Sequence, residues 1–451
     1  MILIQGGRVI GPAEGIDMKA DVVLDGGRIA EIIPAGQQTA GQQTAGREAS
    51  RDYERVIDAN GMIVAPGLVD VHVHFRDPGL TYKEDIHTGA KAAAKGGFTT
   101  VVCMANTTPP IDSEARIVEN IRKGRTTGIR VYSASTISQG MQGEALVDMK
   151  LMKESGAVAF TDDGRPLNNE ALIREAMQKA RRLKLPLSFH EEDPRFVKEP
   201  GVNSGPAAER LGLTGADRQA EIVMVERDCR LARETGAAIV IQHISAKESV
   251  ELVRRAKQNG ARVYAEATPH HFSLTDEAVS LYGTNAKMNP PLRSEEDRMA
   301  IVRGLQDGTI DMIATDHAPH AKVEKDRPFT EAPSGIIGLE TAFALGCMNL
   351  VEPGYLTLLQ LVQRMSTDAA KLYQLDAGMI KEDHPADLTI FDPAQSWAYL
   401  VPESKSTNSP WLGKTLRGKV LVTICAGRVV YEDERLFAGR KLPVGSKKKT
   451  L

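Results

Sequence analysis

No run of about 18 apolar residues occurs anywhere in the chain, so the sequence offers no candidate for a membrane-spanning helix. The opening MILIQGGRVI lacks the basic segment of a secretory leader, so no secretory signal is expected. Cysteine is scarce. Cys103, Cys229, Cys347 and Cys425 are far apart and form no C-x-x-C pair. They read as buried thiols of a cytoplasmic protein, not as a disulfide framework. Excess charge is also missing: the formal net charge is -3, which argues against nucleic acid or another polyanion as partner. The one basic cluster, GSKKKTL at residues 445–451, reads as a solvated end. What remains, 42% hydrophobic and 25% charged residues over 451 positions, is ordinary globular composition.

The style of the chain changes twice. The first 60 or so residues are short strands with glycine turns, MILIQGGRVI, DVVLDGGRIAEII and RVIDANGMIVAPG, in which Gly-Gly and Asn-Gly read as hairpin chemistry. The tandem GQQTA at residues 36–45 reads as a tolerated insertion in a polar loop. From about residue 64, strands alternate with helical patterns. LVDVHVHF, TTVVCMAN, RVYSAST, AVAFTDD, LPLSFHEE, AIVIQHIS, RVYAEAT and DMIATDHAP make eight strand candidates. That alternation predicts a parallel sheet closed into a (β/α)8 barrel of the TIM type. After about residue 375 short strands return, and ICAGRVVYE near the end resembles LDGGRIAEI near the start. The expected organisation is therefore a barrel over 63–372, with residues 1–62 and 373–451 forming one small composite β domain.

The stretch GLVDVHVHFRDPG raises the chemical question. In a strand, residues two apart share a face, so His72 and His74 project together, while Val69, Val71 and Val73 are expected to pack the other way. Active sites of such barrels lie at the C-terminal strand ends. Those ends carry His72 and His74, then Asp162 and Asp163, His190, His243 and Asp316. Four histidines and the acids on one rim point to a metal site, with a nitrogen and oxygen donor set that suits zinc. Spacing does not choose between Asp162 and Asp163.

The motifs DVHVHFRDPG, ANTTPP, AFTDDG, HEED, QHISAKESV, EATPHHF, KMNPPLR, ATDHAPH and APSGIIGLE together resemble dihydroorotases of the bacterial long-chain (type I) class, within the amidohydrolase superfamily. The similarity runs over essentially the whole chain, to NSPWLGKTLRGKVLVTICAGRVVY near the end. One departure stands in GMIKEDHPADLTIFD, where Asp383 occupies a position that is usually glycine in the family. It concerns a turn, and aspartate tolerates a left-handed turn better than most residues.

The resemblance implies a set of roles. His72 and His74 hold one zinc and His190 and His243 a second; Asp163 bridges the two, and Asp316 is both ligand and general acid/base toward a metal-bound hydroxide. Substrate contacts fall on His74, Arg76, Asn106, Asn289 and His320, with backbone near Ser334 and Gly335. The implied reaction interconverts N-carbamoyl-L-aspartate and (S)-dihydroorotate in pyrimidine biosynthesis. The resemblance admits a homodimer and a complex with aspartate transcarbamoylase as partners. Two other readings compete: an allantoinase or dihydropyrimidinase, and a silent scaffold subunit. Related hydantoinases bridge their metals with a carboxylated lysine, whereas this strand offers Thr161-Asp162-Asp163 and Lys153 falls on the preceding helix. His270, His271 and His317 read as supporting or packing groups. Residues 321–333, AKVEKDRPFTEAP, read as a mobile lid beside the site.

Overall fold

The computed structural model describes residues 1–36 and 53–433; the GQQTA tandem beyond Gly36 and the GSKKKTL tail lie outside the described residues. The chain begins with β1 (Ile2–Gly11), β2 (Ile16–Asp25), β3 (Arg28–Pro34), β4 (Arg55–Asp58) and β5 (Ile63–Pro66). Eight barrel strands follow: β6 (Leu68–Val73), β7 (Phe98–Cys103), β8 (Arg130–Ser135), β9 (Ala157–Phe160), β10 (Leu187–Phe189), β11 (Ile239–Ile241), β12 (Val263–Ala267) and β13 (Met312–Ile313). The chain returns to antiparallel pairing with β14 (Leu388–Ala398), β15 (Thr415–Cys425) and β16 (Arg428–Glu432).

The barrel strands pair in parallel and in chain order from β6 to β13. The circle is closed just past β13, where Val73 bridges His317 and the His74 N–H donates to the His317 carbonyl at 2.9 Å. Helices form between the strands because apolar residues recur on one face. In helix Glu170–Leu183, Leu172, Ile173, Ala176, Met177 and Ala180 are buried. The Asn169 side chain starts that helix by accepting from the N–H groups of Ala171 and Leu172. Each larger buried side chain stabilises the packing by roughly 1.5–3 kcal/mol.

Both chain ends meet in one sheet, in the order β16-β15-β14-β5-β1-β2-β3, with β4 also on β1. Its core joins Ile4, Val9, Val22 and Leu24 from the start to Leu388, Ile390, Val422 and Ile424 from the end. The hairpin turns expected at Gly26-Gly27 and Ala426-Gly427 are present. Two others are not. Gly6-Gly7 does not reverse the chain but forms an irregularity inside β1, where Gly6 has φ +74 and its N–H donates to Asp21 at 2.7 Å. Asn60-Gly61 does not make a hairpin either. β4 and β5 both lie parallel to β1, one after the other, so the turn is a jog between collinear strands. Asp383 adopts φ +65, the left-handed conformation expected at that departure from the family pattern.

All four cysteines are free and buried, and burial pushes the Cys425 thiol up to about 12. Among the described residues, no helix is long and apolar enough to cross a membrane.

The loop after β6 is tightly specified. Gly79 has φ +97, and a Cβ there would lie 1.8 Å from the Thr108 carbonyl oxygen. Gly79→Ala should therefore cost at least about 1–3 kcal/mol of stability. A urea titration checks this; an unchanged midpoint would show that the loop relaxes freely.

Candidate metal centre

β6 does not alternate regularly. Its register against β7 shifts between Asp70 and Val73. Val73 packs outward with Ile86, Ala90 and Phe98. Val69 and Val71 instead cluster with Ala134 of β8, Ala159 of β9 and Val240 of β11. Strands so far apart can share side chains only across the lumen, so the expectation that all three valines face away from the histidines is corrected. The extra residue of the irregularity lets Val71 and His72 both turn inward. His72 and His74 still lie side by side, with ring centroids 5.3 Å apart.

The two rings aim their Nε2 atoms at the same pair of carboxylates. His72 Nε2 is 3.6 Å from Asp163 Oδ1 and 3.4 Å from Asp316 Oδ1; the His74 values are 3.4 Å to Asp163 Oδ2 and 3.0 Å to Asp316 Oδ1. On the far side of Asp163, His190 Nδ1 and His243 Nε2 face each other at 3.0 Å, and lie 3.6 and 3.8 Å from Asp163 Oδ1. Donor atoms group as His72-His74-Asp163, His72-His243-Asp316 and Asp163-His190-His243, each set lying within 4.8 Å of one another. Buried polar atoms are normally paired. Here His72 Nε2 and Asp163 Oδ1 are buried without a hydrogen-bond partner. Lone pairs converging on one point, with nothing to donate to them, fit a cation.

The electrostatics agree. Burial opposes charge on His72, yet Glu266, Asp316 and Asp163 raise its pKa well above the ordinary value. Burial likewise opposes charge on His190, but Asp163 and Glu192 push it up to about 10. Burial would raise Asp163, but His190, His243 and His72 hold it well below the usual carboxylate range. The cluster favours positive charge at its centre, whether as protons or as metal.

The neighbouring acid has another task. Asp162 turns away from the histidines and accepts from the N–H groups of Ile137 at 2.7 Å and Ser138 at 3.2 Å. Lys153 points outward, donating to the Leu183 carbonyl at 2.8 Å.

The expected substrate residues line one cavity of about 220 Å³ over the histidines, among them Arg76, Asn106, Asn289, His320 and Ser334. β6 stops at Val73, and Arg76 sits in the following loop with φ +57, its Nε donating to the Pro319 carbonyl at 3.3 Å. Asn106 takes the His74 Nδ1–H on its Oδ1 at 2.9 Å and donates to Asp163 Oδ2 at 2.8 Å. Burial, then Arg76 and Lys83, press His320 down to about 2. The neutral ring donates from Nε2 to the Ser334 carbonyl at 2.9 Å, which fixes the Ser334-Gly335 backbone. Asn289 donates to Glu192 at 3.3 Å and accepts from the Ser334 hydroxyl at 3.2 Å. His271 and His317 stay outside the cluster, held by the Pro290 carbonyl and by Glu84.

Residues 321–333 are anchored and partly helical, with a short helix at Lys322–Lys325. Lys325 is buried and donates to the carbonyls of Pro333 at 2.9 Å and Gly335 at 3.1 Å. Burial and nearby Lys287 bring its pKa down to about 7. A second lysine, Lys287, holds the Phe329 carbonyl at 2.6 Å. A larger open groove of about 920 Å³, lined by Lys247, Glu251, Arg254 and Glu296 among others, lacks any comparable convergence of donors.

Two residues were given no role by sequence reasoning. Glu192 lines the cavity two positions after His190, with its carboxylate 3.6 Å from His190 Nε2. Glu266 lies beneath His72 and takes the hydrogen bond of its Nδ1. The available signal was a fully polar residue among the apolar residues of RVYAEAT.

Residues 61–249 match a family model described as Dihydro-orotase-like. The chain is 55% identical over 431 residues to the dihydroorotase of Clostridioides difficile (strain 630), covering 96% of this chain and 100% of that one. The chain belongs to the dihydroorotase family. The dihydroorotase of Clostridium acetobutylicum is 51% identical over 436 residues, with 96% and 100% coverage. In three dimensions the chain resembles the L-hydantoinase (dihydropyrimidinase) of Arthrobacter aurescens, with a TM-score of 0.83 over 96% of each chain but 24% identity. That likeness concerns the fold. Within it, this dihydroorotase-family chain places Asp163 between the histidine pairs and keeps Lys153 on the outside.

Proposed function

We propose that the chain is a zinc-dependent dihydroorotase. It opens (S)-dihydroorotate to N-carbamoyl-L-aspartate and closes the ring in the reverse, biosynthetic direction of pyrimidine synthesis. The observation that supports this most is Asp163 standing between two histidine pairs, with Asp316 beside the first. His72, His74, Asp163 and Asp316 would hold one ion, and His190, His243 and Asp163 the other. Bound there, such ions lower the pKa of water toward about 7 and polarise an amide carbonyl. Asp316 takes a proton from the attacking water and returns it to the departing ring nitrogen. Arg76 and Asn106, which both line the cavity, suit the ring carboxylate. Asn289 and the backbone at Ser334, which line it too, suit the ring amides.

Every group named comes from this chain. The complete set of ligands also speaks against a silent scaffold. Four buried free thiols fit the reducing cytoplasm. The test is a metal count on purified protein beside hydrolysis of dihydroorotate, dihydrouracil and allantoin. Two zinc equivalents with preference for dihydroorotate are expected. Turnover of dihydrouracil alone would favour the dihydropyrimidinase reading.

Arg76 should set that preference. A guanidinium can meet a carboxylate through two parallel hydrogen bonds. Arg76→Met should lose about 3 kcal/mol, roughly a hundredfold, mainly through KM. Zinc content should hold, and the ratio between dihydroorotate and dihydrouracil should shrink. An unaltered ratio would move the carboxylate anchor elsewhere, to Asn289 or His320.

A further inference from the structure

We infer that Glu266 is the positioning residue shared by both halves of the metal centre, an inference that rests on the metal reading above. Glu266 is fully buried on β12. Its Oε1 accepts the Nδ1–H of His72, from the first histidine pair. The same oxygen accepts the backbone N–H of His243, from the second pair, at 3.3 Å. His243 has φ +31, a left-handed conformation that a histidine adopts only under constraint. One carboxylate thus holds a ring on one side and a strained backbone on the other.

The ring contact matters because a neutral imidazole binds metal through its unprotonated nitrogen. An acceptor at Nδ1 keeps the proton there and leaves Nε2 free toward Asp163 and Asp316. His74 has the same arrangement with a neutral partner, the Asn106 amide oxygen. His72 alone has a carboxylate, which makes it the stronger donor of the pair. Methionine at this position leaves the His72 ring and the His243 N–H without their acceptor, which is destabilising, whereas glutamine keeps an acceptor for both.

The experiment compares wild type, Glu266→Gln and Glu266→Met. Zinc affinity is read by competition with a chelator, and the proton at His72 Nδ1 by nitrogen NMR of histidine-labelled, metal-free protein. Methionine removes both charge and acceptor; glutamine keeps an acceptor. Affinity for both equivalents should fall about a hundredfold in Glu266→Met and about tenfold in Glu266→Gln, the range for losing a partner of a metal-bound histidine. His72 should keep its Nδ1 proton in wild type and Glu266→Gln and lose it in part in Glu266→Met. Unchanged affinity in either variant overturns the assignment, and weakening confined to one equivalent overturns the shared role. If Glu266→Met fails to fold, the tenfold loss in Glu266→Gln still decides. A wild type that binds no metal would sink the metal reading, while the NMR comparison would still settle whether Glu266 orients His72.

Discussion

Asp316→Asn should fold, retain part of its zinc, and lose at least about a hundredfold in kcat, the lower range for removing a general acid/base. Asp316 lies just beyond β13 with φ +47, a conformation that asparagine accepts as readily as aspartate. Its Oδ1 sits 3.0 Å from His74 Nε2 and 3.4 Å from His72 Nε2, and an amide oxygen can occupy the same place. Fold and partial metal binding should therefore survive. What asparagine cannot do is hold a proton between two steps. Burial would make the Asp316 carboxyl hard to ionise, but His72, His74 and His243 hold it below the usual range. It is thus ionised at neutral pH. Zinc content and kcat measured on one preparation separate the two roles. Near-normal turnover would show that the proton travels by another group.

The barrel was legible because each strand is a short apolar run bounded by polar loops, and because histidines and acids recur at one end of those runs. His190 and His243 are sixty or more residues from Asp316, yet the strand count alone put them on one rim. The turns near the N-terminus were misread for a physical reason. Gly-Gly supplies positive φ for a hairpin at residues 26–27 and for an irregularity at 6–7, and only the partner strand distinguishes them. Asn60-Gly61 failed likewise, since what β4 and β5 pair with lies fifty residues upstream. The inward turn of Val71 depends on one extra residue relative to β7, which no pattern within β6 reveals. Glu266 was invisible as a partner of His72, because 194 residues separate the two in sequence.

Asp162 and Asp163 were indistinguishable from spacing, and their environments now make opposite predictions. Asp163→Ala should lose most of its metal and with it activity, by more than the 10–100-fold that follows loss of an outer partner. Asp163 stands in two of the donor sets, one with His72 and His74 and one with His190 and His243. Two dications held near each other repel, and the carboxylate between them offsets that repulsion. Alanine supplies neither ligand nor charge, so both positions should weaken together. Asp162→Ala should behave in reverse. Its carboxylate accepts from the backbone N–H groups of Ile137 and Ser138, and alanine leaves those buried donors unpaired. That costs about 1–3 kcal/mol for each buried donor left without a partner, so the urea midpoint should fall while zinc content stays near that of wild type. Equal metal loss in the two variants would mean that the bridge is not Asp163 alone, and that the β9 end can rotate to present either acid.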